Sequence, residues 1–149
     1  MEIQVVNFDK IFLSHSWEWL NEPELKKLTN TPDFTQEDQL RWYESLKYKN
    51  DYLVWGILAD SKPIGVCGLK KITQTDCEYW GYIGEKEYWG KGIGKSIMYL
   101  LEEEAKKLKL NSIWLQVLQE NSRAILLYKK TGYQIDKIER GLIFMRKPL

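Results

Sequence analysis

Residues 77–95 read CEYWGYIGEKEYWGKGIGK: an apolar stretch from Cys77 to Gly84, a polar segment, then Gly90-Lys91-Gly92-Ile93-Gly94-Lys95. Beyond the glycines, Ile93, Ile97, Leu100, Leu101, Ala105 and Leu108 recur at helical spacing. The order is therefore strand, glycine loop, helix. Free N–H groups in the first turn of such a helix, backed by its dipole, form a ready anion site. Glycine lets a phosphate reach the backbone without a Cβ in the way, and Lys91 and Lys95 add charge beside it. A tight turn alone would also ask for glycine, but three at alternate positions exceed what a turn needs.

Working outward, Ser112–Leu118 is a near-continuous apolar run, as in a strand covered on both faces. Asn121 caps a second helix that ends at Lys130-Thr131, with Gly132 just past its end. Tyr133–Ile138 and Leu142–Met145 form a hairpin turning at Glu139-Arg140-Gly141. Upstream, a first strand falls within residues 2–8, and Ser14 to Leu28 is helical with a break near Pro23. Thr35 followed by Asp38 opens a helix through about Lys47 as a capping-box variant. Strands Tyr52–Ala59 and Pro63–Lys71 flank the turn Asp60-Ser61-Lys62. The pattern predicts one α/β domain with a mixed, mostly antiparallel sheet, a central βαβ unit and flanking helices.

A chain of 149 residues buries roughly two-thirds of its unfolded surface and needs no staple. Lys+Arg number 22 and Asp+Glu 21, so there is no general pull toward nucleic acid or anionic membrane. Two cysteines, Cys67 and Cys77, and a single histidine, His15, assemble no zinc site. The start has no basic-then-apolar pattern and no stretch approaches the ~20 residues of a membrane helix, so the expected location is cytoplasmic. Glu102, Glu103 and Glu104 with Lys106 and Lys107 read as solvated i,i+4 pairs.

Two nucleotide motifs fail. A P-loop ending Gly94-Lys95-Ser96 requires a glycine where Trp89 stands, and the dinucleotide pattern after Gly92 and Gly94 requires one at Ile97. Gly92-Ile93-Gly94 followed by Asn121-x-x-Ala124-x-x-x-Tyr128-x-x-x-Gly132-Tyr133 instead resembles the GNAT family of acyl-CoA N-acyltransferases. The likeness covers roughly Tyr52 to Tyr133. Its loop departs from the family pattern in beginning with Trp89 rather than Gln or Arg. The resemblance implies one acetyltransferase domain: residues 1–50 supply acceptor-side helices, 52–133 the acetyl-CoA-binding core and 134–149 a C-terminal hairpin. It also implies that the backbones of Gly90, Lys91, Gly92, Ile93, Gly94 and Lys95 hold the CoA diphosphate. Tyr82, Ile83 and Gly84 match the strand that pairs with the pantetheine arm, Asn121 a cofactor contact, and Tyr128 the general acid. Acetyl-CoA is then the cosubstrate, with no metal.

Acyl transfer to an amine needs a proton acceptor, donors for the oxyanion and an acid for the thiolate. Some members carry a glutamate five residues before the asparagine; here that position is Gln116, which takes no proton. Glu78 is the alternative base, directly or through water, although an edge-strand glutamate is the equally weighted plain reading. Asn121 as a mere cap and Tyr128 as a mere core aromatic are the corresponding plain readings. Trp17-Glu18-Trp19-Leu20-Asn21-Glu22-Pro23-Glu24 resembles the opening of amino-sugar, aminoglycoside and ribosomal-protein acetyltransferases. Trp17, Trp19, Trp42 and Trp80 supply either an acceptor wall or core. The expected acceptor is a primary amine of a small molecule, foremost a nucleotide-linked amino sugar. A protein N-terminus, an aminoglycoside and non-catalytic acetyl-CoA binding remain open, as does a homodimer.

Overall fold

The glycine loop lies at the mouth of a gap in a seven-stranded sheet, in a computed structural model that describes residues 1–149. The strands are β1 (Ile3–Asn7), β2 (Leu53–Ala59), β3 (Lys62–Lys70), β4 (Asp76–Ile83), β5 (Ser112–Leu118), β6 (Gln134–Glu139) and β7 (Leu142–Pro148). The helices are α1 (Lys10–Asn21), α2 (Pro23–Leu28), α3 (Gln36–Ser45), α4 (Ile93–Lys107) and α5 (Ser122–Lys130). Spatial order is β1-β2-β3-β4-β5-β7-β6, antiparallel except between β4 and β5. The α/β class and the central βαβ unit match expectation.

That parallel pair positions the site. Its pairing covers only Asp76–Glu78 against Ser112–Trp114, after which the strands separate. Every other neighbour of the pair is continuous: β3 pairs with β4 as far as Ile83, and β7 with all of β5. The sheet thus has a wedge-shaped opening with a backbone edge on each side.

Alternation sorts the two faces. Cys77 and Tyr79 of β4, with Ile113, Leu115 and Val117 of β5, join Ile93, Ile97, Leu101 and Ala105 of α4 in a core of 19 buried residues. Leu100 and Leu108, counted in the helical pattern, stay exposed at 43% and 44%, so the inward stripe is narrower than the sequence suggests. On the opposite face, Trp19 and Leu25 of α1 and α2 pack on Val66, beside Trp80 and Tyr82. Gln39 of α3 donates to Ser16 Oγ at 2.6 Å and ties α3 to α1.

Local signals set most boundaries. Thr35 and Asp38 complete a reciprocal capping box. Helix α1 begins at Lys10, not Ser14, because the Asp9 carboxylate accepts from the Ile11 and Phe12 amides. Strand β7 runs to Pro148 rather than Met145, and Lys62 belongs to β3 rather than to the turn. The acidic run on α4 is divided: Glu103 and Glu104 make i,i+3 pairs with Lys106 and Lys107. Glu102 is instead buried at 4% and pairs with Lys147 of β7 at 3.0 Å, correcting its reading as a solvated residue. Cys67 and Cys77 are buried free thiols. No helix is long and apolar enough to cross a membrane.

Candidate active site

The wedge between β4 and β5 opens into a cleft of about 1330 Å³. At one end stands the glycine loop. Gly90 and Gly92 have φ of +74° and +80°, so both need glycine, and a Cβ built on either meets nothing within 4 Å. None of the six amides from Gly90 to Lys95 donates to a protein acceptor; the helical ladder resumes only at Ser96, which donates to Gly92 O at 3.3 Å. Orphan donors at the start of a 15-residue helix, with open space before them, fit a diphosphate. Lys95 lines the cleft, whereas the Lys91 ammonium lies 5.8 Å above the Tyr88 ring.

The register decides what β4 offers. Gly84 N–H donates to Ile64 O at 2.6 Å, fixing 64 and 84 as a hydrogen-bonded pair. Alternation then directs the Tyr82 amide to β3 and the Gly81 and Ile83 amides into the gap. Of the three residues expected to face the ligand, Ile83 alone has a free N–H there. Tyr82 packs edge-on against Trp19, and a Cβ at Gly84 would strike the Trp19 ring at 2.2 Å. Gly81 was missed from sequence because only the register shows where its amide points. Trp89 was also unforeseen: its indole N–H donates to Ile83 O at 2.8 Å, which ties the start of the glycine loop to the end of β4.

Asn121 lines the cleft and is also the α5 cap, its Oδ1 accepting from Ala124 N at 3.3 Å. Its side-chain amide group is left free for a ligand. Two turns on, Tyr128 is fixed by the helix end. Tyr133 N–H donates to Tyr128 O at 3.0 Å and Gly132 N–H to Lys129 O at 3.2 Å, with Gly132 at φ +102°. These two bonds define a Schellman motif, and the accompanying apolar contact is Tyr128 against Tyr133, ring centroids 6.0 Å apart. The Tyr128 phenol reaches the cleft without a hydrogen-bond partner in the protein, and burial pushes it up to about 12.

Glu78 enters from the other face of the sheet. It stands opposite Lys70 across β3–β4, is 3% exposed, and accepts at Oε2 from Gln116 Nε2 at 3.2 Å. Its Oε1 has no hydrogen bond and lies 3.5 Å from the Lys71 ammonium. Tyr52 and Trp80 meet beside it, ring centroids 6.1 Å apart and planes tilted by 52°, and burial pushes the Tyr52 phenol up to about 12. Of the four tryptophans expected to form either wall or core, only Trp80 lines the cleft. Trp19 is buried under a stacked His15, Trp17 packs on Phe34, and Trp42 on Phe8 and Tyr52. A phenol from the α5 face and a carboxylate from the α1 face therefore flank one gap whose edge carries two free N–H donors. That set matches the needs of acyl transfer.

Residues 15–133 match the model of the acetyltransferase (GNAT) family. The chain is 25% identical to acetyltransferase PseH of Campylobacter jejuni over 120 residues, 80% of this chain and 74% of that protein. Its fold superimposes on the C. jejuni N-acetyltransferase PseH in complex with acetyl coenzyme A with a TM-score of 0.77, at 20% identity and 99% coverage of both chains. The PaiA N-acetyltransferase of Thermoplasma acidophilum in complex with coenzyme A gives 0.79 at 25% identity, with 100% of both chains covered. A domain from Methanocaldococcus jannaschii gives 0.89 at 20% identity, covering 99% of each chain.

Proposed function

The chain belongs to the acetyltransferase (GNAT) family, and from that premise we propose that it acetylates the primary amine of an anionic small molecule, foremost a nucleotide-linked amino sugar. As a family member it is an acyl-CoA N-acetyltransferase with acetyl-CoA as cosubstrate. One observation carries the choice of acceptor. Among the charged groups lining the cleft, and leaving Lys95 to the diphosphate, Lys70, Arg123 and Lys130 form no ion pair, whereas the acids Glu24 and Glu78 are matched by Lys86 and Lys71 and only Glu120 is unmatched. A cleft with surplus positive charge in a nearly neutral chain favours an anion and disfavours a polycation. Tyr52 and Trp80, tilted against each other, supply aromatic surface in the cleft suited to a sugar or base.

In this reading residues 1–50 build the acceptor side, 52–133 hold acetyl-CoA and the 134–149 hairpin backs the sheet. The Gly90–Lys95 amides and Lys95 hold the diphosphate, and Asn121 contacts the pantetheine arm. The Gly81 and Ile83 amides are the donors nearest to hand for the thioester carbonyl oxygen. Glu78 takes the proton from the acceptor amine, and Tyr128 gives its proton to the departing sulfur. Burial keeps the Tyr128 phenol protonated well above neutral pH, so the proton is there to give.

The experiment is an acceptor screen, following acetyl-CoA-dependent thiol release with a nucleotide-linked amino sugar, spermidine, an aminoglycoside and a peptide with a free N-terminus. The highest kcat/KM is expected for the anionic amino sugar. A clear preference for spermidine would overturn the acceptor assignment.

A further inference from the structure

Lys71 follows β3 with φ +51°, a conformation that side chains other than glycine rarely adopt. A continued strand would send its side chain to the face opposite Lys70 and Glu78. The turned backbone brings it back instead. Its ammonium lies 5.4 Å from the centroid of the Trp114 ring and 3.5 Å from Glu78 Oε1. The Lys71 side chain is 60% exposed while that of Glu78 is 4% exposed, so the lysine stays hydrated as it reaches a buried carboxylate. The other oxygen of Glu78 is held by Gln116 Nε2, and Lys70, directly opposite, forms no ion pair with it.

We infer that Lys71 is the positioning residue for Glu78: it holds the carboxylate turned so that Oε1 keeps a free lone pair for the acceptor amine. The inference rests on the reading of Glu78 as the base. A buried carboxylate with one amide donor is poorly compensated, and a nearby ammonium supplies what is missing. At 3.5 Å the pair makes no hydrogen bond, so it supplies charge without filling the oxygen that must receive the proton. Trp114 fixes where the ammonium sits.

The test is a double-mutant cycle on the full chain with Lys71→Gln, Glu78→Gln and the double variant, plus Lys71→Arg as the conservative control. Lys71→Gln should lower kcat about tenfold, leave the KM for acetyl-CoA within about twofold, and be largely rescued in Lys71→Arg. In the Glu78→Gln background the same change should do nothing further, because its effect passes through the carboxylate. Equal losses in both backgrounds would mean a structural role and overturn the inference. A Lys71→Gln enzyme with full kcat beside an impaired Glu78→Gln would overturn it alone. Full activity in Glu78→Gln would instead remove the base reading itself.

Discussion

Replacing Tyr128 by phenylalanine removes one oxygen and separates chemistry from structure. The hydroxyl has no hydrogen-bond partner in the protein, so its loss leaves no buried group unsatisfied. The ring contact with Tyr133 and the Schellman bonds through Tyr128 O and Lys129 O are untouched, because they use the ring and the backbone. Stability should therefore change by no more than about 0.5 kcal/mol, within the range of substitutions that disturb no special feature. Acetyl-CoA affinity should hold within about threefold, since the proposed diphosphate site is on another helix. Turnover should fall. General acids contribute roughly 10²–10⁴, and a thiolate is a fair leaving group even unassisted, so the lower end is expected: about 10²-fold, or ~2.7 kcal/mol of activation free energy. With the phenol pushed up to about 12, the acid stays protonated through the usable range and should impose no alkaline limb on kcat below pH 10. Thiol-release kinetics with calorimetric titration of acetyl-CoA measure both halves. An unchanged kcat, or a fall matched by an equal loss of affinity, would refute the acid role.

Gly92→Ala forces a side chain into φ +80° at a cost of about 1–2 kcal/mol and turns the loop amides, so CoA affinity should drop at least about tenfold. Gly94 has no positive φ and its added methyl would meet only Leu127 Cδ2 at 3.5 Å, so Gly94→Ala should fold normally by thermal melting. Lys147→Met strands the buried Glu102 carboxylate and should cost about 3–5 kcal/mol by urea titration. Burial pushes Tyr52 and Tyr128 up to about 12 and raises Tyr79, Tyr82 and Tyr133 as well, while the unfolded chain titrates near ~10. Folded pKa values above unfolded ones mean that their contribution is complete below about pH 10 and disappears as pH rises through 12 and beyond. Tyrosinate absorbance should then appear together with loss of circular dichroism; ionisation of these tyrosines in a fully folded protein near pH 10 would contradict it.

What could be read from sequence was local. The glycine loop, the Asn121 cap, the Thr35–Asp38 box and Gly132 past α5 each announce themselves within a few residues, and the structure keeps all of them. The start of α1 was missed because Lys10-Ile11-Phe12 carries no helical period until the Asp9 cap is recognised. The burial of Glu102 depends on Lys147, 45 residues away, and nothing within the acidic run distinguishes it from Glu103. The same division holds at the site. The glycine loop, Lys91 apart, lines the cleft with Asn121 and Tyr128, but the direction of the Gly81 amide depends on the β3–β4 register, and the reach of Lys71 on a single backbone angle. Neither leaves a mark in composition or periodicity.

In the proposed site the amides from Gly90 to Lys95 hold the diphosphate of CoA, with the thioester end directed along β4 toward Tyr128. Titrating nitrogen-15-labelled protein with CoA tests it residue by residue. The largest amide shifts are expected at 90–95, with Gly81 and Ile83 following. Saturable binding that leaves those amides unmoved and perturbs another surface would contradict it.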